Sequence, residues 1–212
     1  MTRTKNTFSE KQSDQQRHKI TDFDPATTAV LVVDMLKDFF KEGGAMVLEG
    51  GGALYAPHQK LLAAARAADM PVLWLNQCLP PDDSLFEMRT VHCLAGSWGA
   101  EVVDELPVEA GDIVIPKRRY SGFFQTTLDL TLRERGIDTV IVTGVVTNIC
   151  VRSTVHDAFF LRYKVLVPED LVMATSPQAQ EVTLYDIDTH YGDVTNLENV
   201  LGALQRRLEA SQ

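Results

Sequence analysis

The sequence predicts a three-layer α/β/α domain in which helices cover both faces of a doubly wound, Rossmann-like, mostly parallel six-stranded sheet. Three observations carry this expectation. Short runs rich in Val, Ile and Leu alternate with segments whose apolar residues recur at helical spacing, the pattern of a parallel sheet wrapped by helices. The first, third and fourth runs are nearly continuous in Val and Ile, as strands buried on both faces are. No shift in composition, low-complexity linker or internal repeat divides the 212 residues, a length that supports one domain with a substantial core.

The elements follow in order. Met1 to Ile20 is polar and charged without an apolar core, so residues 1–20 are read as a loose tail rather than a secretory signal or anchor, and residues 21–212 as a single domain. Ala29–Asp34 is the first strand, five apolar residues closed by an acid. Ala56–Ala68 is a helix with Leu61, Leu62 and Ala65 on one face. Pro71–Asn76 and Asp112–Pro116 are the second and third strands. Thr126–Arg135 is helical through Leu128, Leu130 and Leu132, and Gly136 stops it. Thr139–Thr143 is the fourth strand and Cys150–Arg162 the helix after it. Lys164–Pro168, helix Pro177–Asp188, a weak strand at Gly192–Thr195 and helix Leu197–Leu208 complete the chain.

Composition narrows the function. With 29 acidic against 20 basic side chains the net charge is −9, and the one dense basic run is Lys117-Arg118-Arg119. Nucleic acid and membrane surfaces both call for clustered cations, so neither is an expected partner. No segment approaches the roughly 18 uninterrupted apolar residues of a membrane span. Three cysteines, Cys78, Cys93 and Cys150, lack the even count and close spacing of a disulfide framework or zinc knuckle, which fits a reducing cytoplasm.

Parallel open sheets bind ligands beyond the carboxyl ends of their strands, so the residues leaving the strands are the first candidates for chemistry. These are Asp34 after the first, Lys117 after the third and Cys150 just beyond the fourth. The run Thr143–Val151 breaks at Gly144 and restarts as a helix, which places the Cys150 sulfur at a helix N-terminus. Backbone N–H groups there favour thiolate over thiol and lower a cysteine pKa from about 8.5. Asp34 is positioned to accept the thiol proton, and Lys117 favours both anions by its charge. The thiolate then attacks a carbonyl or carbamoyl carbon, and the N–H groups of Val146 and Cys150 are the donors available to the oxyanion. Each residue alone has an ordinary reading: a core cysteine, a turn aspartate, a solvated lysine. Convergence of all three over one pocket is the expectation that separates the two.

The same residues resemble the isochorismatase-like cysteine hydrolases. The resemblance rests on Val33-Asp34-Met35-Leu36-Lys37-Asp38-Phe39, on Lys117-Arg118-Arg119-Tyr120-Ser121-Gly122-Phe123-Phe124, and on Gly144 through Cys150 followed by Val151, Ser153, Thr154 and Asp157-Ala158. It covers about residues 26 to 203. It implies Asp34 as base, Lys117 as its charge partner, Cys150 as nucleophile, and a cis peptide between Val145 and Val146 that aims the Val146 N–H into the oxyanion hole. It also implies association into a homo-oligomer, a dimer or tetramer. Lys117–Gly136 is most similar to the ureidoacrylate amidohydrolases, which points to a small amide or ureido (carbamoyl) substrate. Arg152 stands where that subgroup has Glu, and the Asn76–Phe86 loop is shorter.

Metal-dependent nicotinamidases place an Asp-x-His pair where this chain reads Gly50-Gly51-Gly52-Ala53-Leu54. His58, His92, His156 and His190 are scattered without carboxylates at ligand spacing, so no catalytic metal is expected. His58 is read as a surface residue, and His92 and Cys93 as structural. Gly43-Gly44 and Gly50-Gly51-Gly52 lack the strand-before, helix-after context of a phosphate cradle, so no nucleotide or other cofactor is expected.

Phe39, Asn76, Gln77, Trp98, Tyr120 and Phe123 lie just beyond strand ends or beside the three reactive groups. They are candidate pocket walls for a small planar amide, with core packing as the alternative for each. Arg118 or Arg119 is a candidate partner for a substrate carboxylate, or simply solvated. The leading expectation is a cofactor-independent hydrolase of linear C–N bonds working through a covalent Cys150 intermediate. The alternatives are a vinyl-ether hydrolase of the isochorismatase type, which needs no thiol, and a binding module that keeps the fold without turnover.

Overall fold

The computed structural model describes residues 19–20 and 22–210. Seven strands, β1 (Thr28–Val33), β2 (Val72–Gln77), β3 (Ile113–Lys117), β4 (Thr139–Val145), β5 (Lys164–Pro168), β6 (Val172–Met173) and β7 (Asp193–Thr195), form one sheet in the order β3-β2-β1-β4-β5-β7. Every pairing between them is parallel. The strand beyond the expected six is β6, two residues long. The β4–β5 pairing ends at Ile141↔Leu166, and β6 then takes up Gly144 and Val145 at the far end of β4.

Alternation along the strands sends side chains to two cores. On one face Val30, Val32, Trp74 and Ile141 pack with Leu61 and Leu62 of α2 (Tyr55–Ala67) and with Val200 and Leu204 of α6 (Leu197–Ala210). On the other, Leu31, Leu75 and Val142 meet Leu128 and Leu132 of α3 (Leu128–Glu134) and Val155 and Ala158 of α4 (Arg152–Phe160). A short helix α1 (Lys37–Phe40) follows β1, and α5 (Pro177–Asp186) follows β6. The helices thus form the two outer layers of the expected three-layer domain.

One expectation about burial is corrected. β1 and β4 are buried throughout, but β3 is not: Val114 is 49% exposed and Pro116 is also exposed. β3 is an edge strand paired only with β2, and an edge is where a strand proline is tolerated, because no neighbour needs its missing N–H. The fully buried strand on that side is β2.

Of the segment read as a tail, residues 1–18 lie outside the described residues. Lys19 and Ile20 are held to the domain: Lys19 Nζ lies 3.0 Å from an Asp188 oxygen, and the Ile20 N–H donates to Asp193 Oδ2 at 2.6 Å. Among the described residues no helix is long and apolar enough to cross a membrane.

Candidate active site

Because β1, β2, β3 and β4 are parallel neighbours, their carboxyl ends share one edge of the sheet, and the three reactive groups meet there. At the end of β1 the chain turns sharply, with Asp34 at φ 50° and its N–H donating to Leu75 O of β2 at 3.1 Å. Its carboxylate is held from two sides. Oδ1 accepts the Gln77 N–H at 2.7 Å, and Oδ2 lies 2.7 Å from Lys117 Nζ. Both side chains are sealed from solvent, Asp34 at 1% exposure and Lys117 at 0%.

The buried Cys150 thiol lies within electrostatic reach of both the Asp34 carboxylate and the Lys117 ammonium. Burial works to lower the Lys117 pKa, but the Asp34 carboxylate and Cys150 outweigh it and hold the ammonium above its ordinary range. Burial pushes the Cys150 thiol well up, with Asp34 adding to the rise and Lys117 opposing it. The sequence-based expectation of a thiol acidified by a helix N-terminus is therefore corrected. Desolvation, with Asp34, outweighs the Lys117 charge, so the resting group is a neutral thiol beside a carboxylate that can take its proton.

Cys150 does not start the helix itself. A wide π-type turn, Thr147–Val151, carries it ahead of α4, and the Val145–Val146 peptide before that turn is cis, as the resemblance implied. Two hydroxyl side chains, each with two hydrogen bonds, brace this region. Thr154 Oγ1 donates to the Cys150 carbonyl at 2.8 Å and accepts the Gly122 N–H at 3.0 Å. Ser121 Oγ donates to Asp157 Oδ2 at 2.5 Å and accepts the Phe123 N–H at 3.1 Å. The segment after Lys117 is thereby laced to the helix after Cys150, so one brace positions two of the three groups.

The candidate wall residues divide. Asn76 and Gln77 end β2 beside Asp34, and both are buried, with Asn76 Oδ1 and Gln77 Nε2 lacking any partner. Thr147 Oγ1, buried in the turn before Cys150, is unpartnered as well. Such atoms are costly to leave bare, and they mark this edge of the sheet as polar and unsatisfied. Phe39 is buried with its ring 6.0 Å from that of His92. Phe123 belongs to the core, against Tyr163 at 5.7 Å, and Tyr120 packs beside the same cluster. Trp98 is about half exposed, with Lys37 Nζ 5.9 Å from its ring centre. Arg119 is engaged by Asp83 at 3.1 Å, Arg118 is exposed, and Arg152 pairs with Asp186 at 3.6 Å.

Two residues were missed or misread from sequence. Asp38 is a buried junction: Oδ1 accepts the Ala45 N–H at 3.0 Å and Oδ2 the Cys93 N–H at 2.6 Å, tying the loops on either side of the site to α1. Gly99 packs so closely on this carboxylate that a Cβ there would lie 2.3 Å from it. His58, read as a surface residue, is fully buried, with Nδ1 donating to Leu54 O at 2.8 Å. Burial lowers its pKa to about 4, so the ring is neutral. The signal was present, since His58, Leu61, Leu62 and Ala65 fall at the i, i+3, i+4, i+7 spacing of one inner stripe.

Among the described residues no group of three or more His, Cys, Asp or Glu side chains is placed to hold a metal ion. The ionisable groups gathered at this edge of the sheet are Asp34, Lys117 and Cys150.

Comparison with known proteins agrees with this architecture. The family model described as the isochorismatase domain matches residues 28–199. A cysteine hydrolase from Pseudomonas syringae pv. phaseolicola is similar at 33% identity and TM-score 0.81, over 87% of this chain and 95% of that one. N-carbamoylsarcosine amidase from Thermoplasma acidophilum is similar at 34% identity and TM-score 0.74, over 81% and 97%. Pyrazinamidase of Pyrococcus horikoshii, solved in complex with zinc, is similar at 26% identity and TM-score 0.76, over 80% and 99%.

Proposed function

The chain belongs to the isochorismatase family, and from that membership we propose that it is a cysteine-dependent amidohydrolase cleaving a C–N bond of a small amide or ureido compound. The observation that carries the reading is the sealed Asp34–Lys117 ion pair, with the buried Cys150 thiol in electrostatic contact with both partners. Similarity to a cysteine hydrolase and to N-carbamoylsarcosine amidase supports the substrate class.

The steps follow from the resting state. Asp34 takes the thiol proton as Cys150 Sγ attacks the substrate carbonyl carbon, so the anion develops only when an electrophile is present to receive it. The S–C bond forms, and the carbonyl oxygen becomes an oxyanion facing the N–H groups of Val146 and Cys150. Asp34 returns the proton to the leaving nitrogen, the C–N bond breaks, and a thioester remains on Cys150. Water then attacks the thioester, giving its proton to Asp34. Collapse of this second intermediate breaks the S–C bond, and the proton goes back to sulfur. Lys117 holds the Asp34 carboxylate throughout.

A screen of small amides, carbamoyl amino acids and ureido acids for ammonia release tests the reading, with acid-quenched enzyme examined by mass spectrometry for an acyl adduct on Cys150. Loss of turnover in Cys150→Ala is expected, and full activity in that variant overturns the mechanism. The family resemblance also supports a homo-oligomer, dimer or tetramer, which light scattering on the purified protein checks.

A further inference from the structure

His92 is buried, its ring edge-on to Phe39 at 6.0 Å and to Phe86 at 6.2 Å between centroids. Its Nδ1 lies 2.6 Å from the Thr90 carbonyl oxygen, and its Nε2 lies 3.2 Å from the side-chain oxygen of Gln77. A carbonyl only accepts, so Nδ1 carries the hydrogen. In the neutral ring Nε2 is then an acceptor, and an acceptor does not bond to the Gln77 oxygen. The other end of the same carboxamide, Nε2 of Gln77, is buried without a partner. A half-turn of the carboxamide resolves both conflicts, because its oxygen and nitrogen are nearly equal in shape and exchange places without repacking. The NH2 group then donates to His92 Nε2, and the oxygen takes the unpartnered position.

Gln77 stands at the sheet edge that carries the site. Gln77 is 1% exposed and is the register partner of Lys117 on the neighbouring parallel strand, so the two side chains leave the same face of the sheet. The backbone N–H of Gln77 already holds the Asp34 carboxylate.

We propose that His92 is a positioning residue: it turns the Gln77 carboxamide so that its oxygen, on the strand edge shared with Lys117, accepts an N–H of the substrate. The inference rests on the amidohydrolase reading and narrows its substrates to those with an N–H beside the reacting carbonyl, as in primary carboxamides, carbamoyl and ureido compounds. Esters and N,N-dialkyl amides bring no donor and leave a buried oxygen unpaired, the kind of mismatch that discriminates strongly.

Nitrogen-15 NMR of the histidine-labelled full chain tests the premise without any turnover. The His92 signals, identified by their loss in His92→Gln, are expected to show a protonated Nδ1 and a bare Nε2. A protonated Nε2, in the other tautomer or in an imidazolium, overturns the proposal and leaves the amidohydrolase reading standing. Kinetics tests the consequence, comparing the best primary carboxamide from the ammonia-release screen with the methyl ester of the same acid. In His92→Phe, which keeps a ring between Phe39 and Phe86, the amide-to-ester ratio of kcat/KM is expected to fall about ten- to a hundredfold. Gln77→Leu should lower it as far, and the double variant no further than Gln77→Leu alone. An unchanged ratio in His92→Phe, or additive losses in the double variant, overturns the proposal. If His92→Phe does not fold, the NMR result decides.

Discussion

Lys117 Nζ and Asp34 Oδ2 lie 2.7 Å apart, neither side chain more than 1% exposed, in a pair whose members stand 83 positions apart in sequence. Buried charges of this kind are stable only together. Removing one partner leaves the other unpaired in a dry interior, which costs about 3–5 kcal/mol. Lys117→Met and Asp34→Asn should each lose stability on that scale in urea denaturation, while the double variant loses less than the sum. Simple additivity would mean that the pair is not coupled in solution.

On the proposed mechanism, a neutral Cys150 thiol requires Asp34 for more than charge balance. Asp34→Asn keeps the shape of the side chain and its oxygen for the Gln77 N–H, but it has no place for the proton of sulfur. Loss of a general base typically costs about 10²- to 10⁴-fold in rate, and kcat/KM should fall by that factor. Alkylation of Cys150 by iodoacetamide should slow in the same variant relative to the partly exposed Cys78. Unchanged alkylation would show that the thiolate forms without Asp34.

What could be read from the sequence, and what could not, divides by the range of the interaction. β1, β4 and the residues leaving them were legible because burial on both faces writes itself as uninterrupted Val and Ile, and parallel strands put their carboxyl ends on one edge. The edge position of β3 was not, since strand order depends on which neighbour each strand finds rather than on its own residues. β6 is two residues long and has no period to detect. His58 was misjudged by residue type although its spacing matched the apolar stripe. Asp38 joins two loops whose partners, Ala45 and Cys93, lie 7 and 55 residues away, and only the fold brings them together. The Cys150 thiol was misjudged for the same reason, because desolvation is a property of everything packed around the sulfur.

Burial of Cys150 predicts how stability responds to alkali. Its folded pKa is raised above the ordinary 9.0, and that of Cys93 is raised as well, chiefly by burial. Unfolding therefore releases protons above pH 9, where exposed thiols ionise and folded ones do not. The sign is destabilising: the stability these thiols contribute is complete below about pH 9 and is lost as pH rises toward their folded values, at about 1.4 kcal/mol per pH unit for each thiol. Urea midpoints should fall from pH 9 to 10.5, and in Cys150→Ser, which does not titrate there, the fall should be shallower by up to one thiol's share. Equal slopes in the two proteins would mean that the Cys150 thiol is not raised.

Gly144 sets how closely β4 approaches β1 just before the Cys150 turn. It pairs with Val33, the residue ahead of Asp34, and adopts φ +98°. A Cβ at this position would lie 2.0 Å from the Val33 carbonyl oxygen, which is main chain and cannot rotate away. Gly136, at φ +68°, faces open space, so alanine there meets only the left-handed backbone penalty of about 1–2 kcal/mol. Gly144→Ala adds to that penalty the parting of two central strands, and should destabilise by clearly more than Gly136→Ala in the same denaturation assay. It should also reduce turnover under conditions where it remains folded, because β1 carries Asp34 and β4 leads into the Cys150 turn. If the two alanine variants cost the same and both retain activity, β1 and β4 are free to separate at this point, and the site does not depend on their close approach.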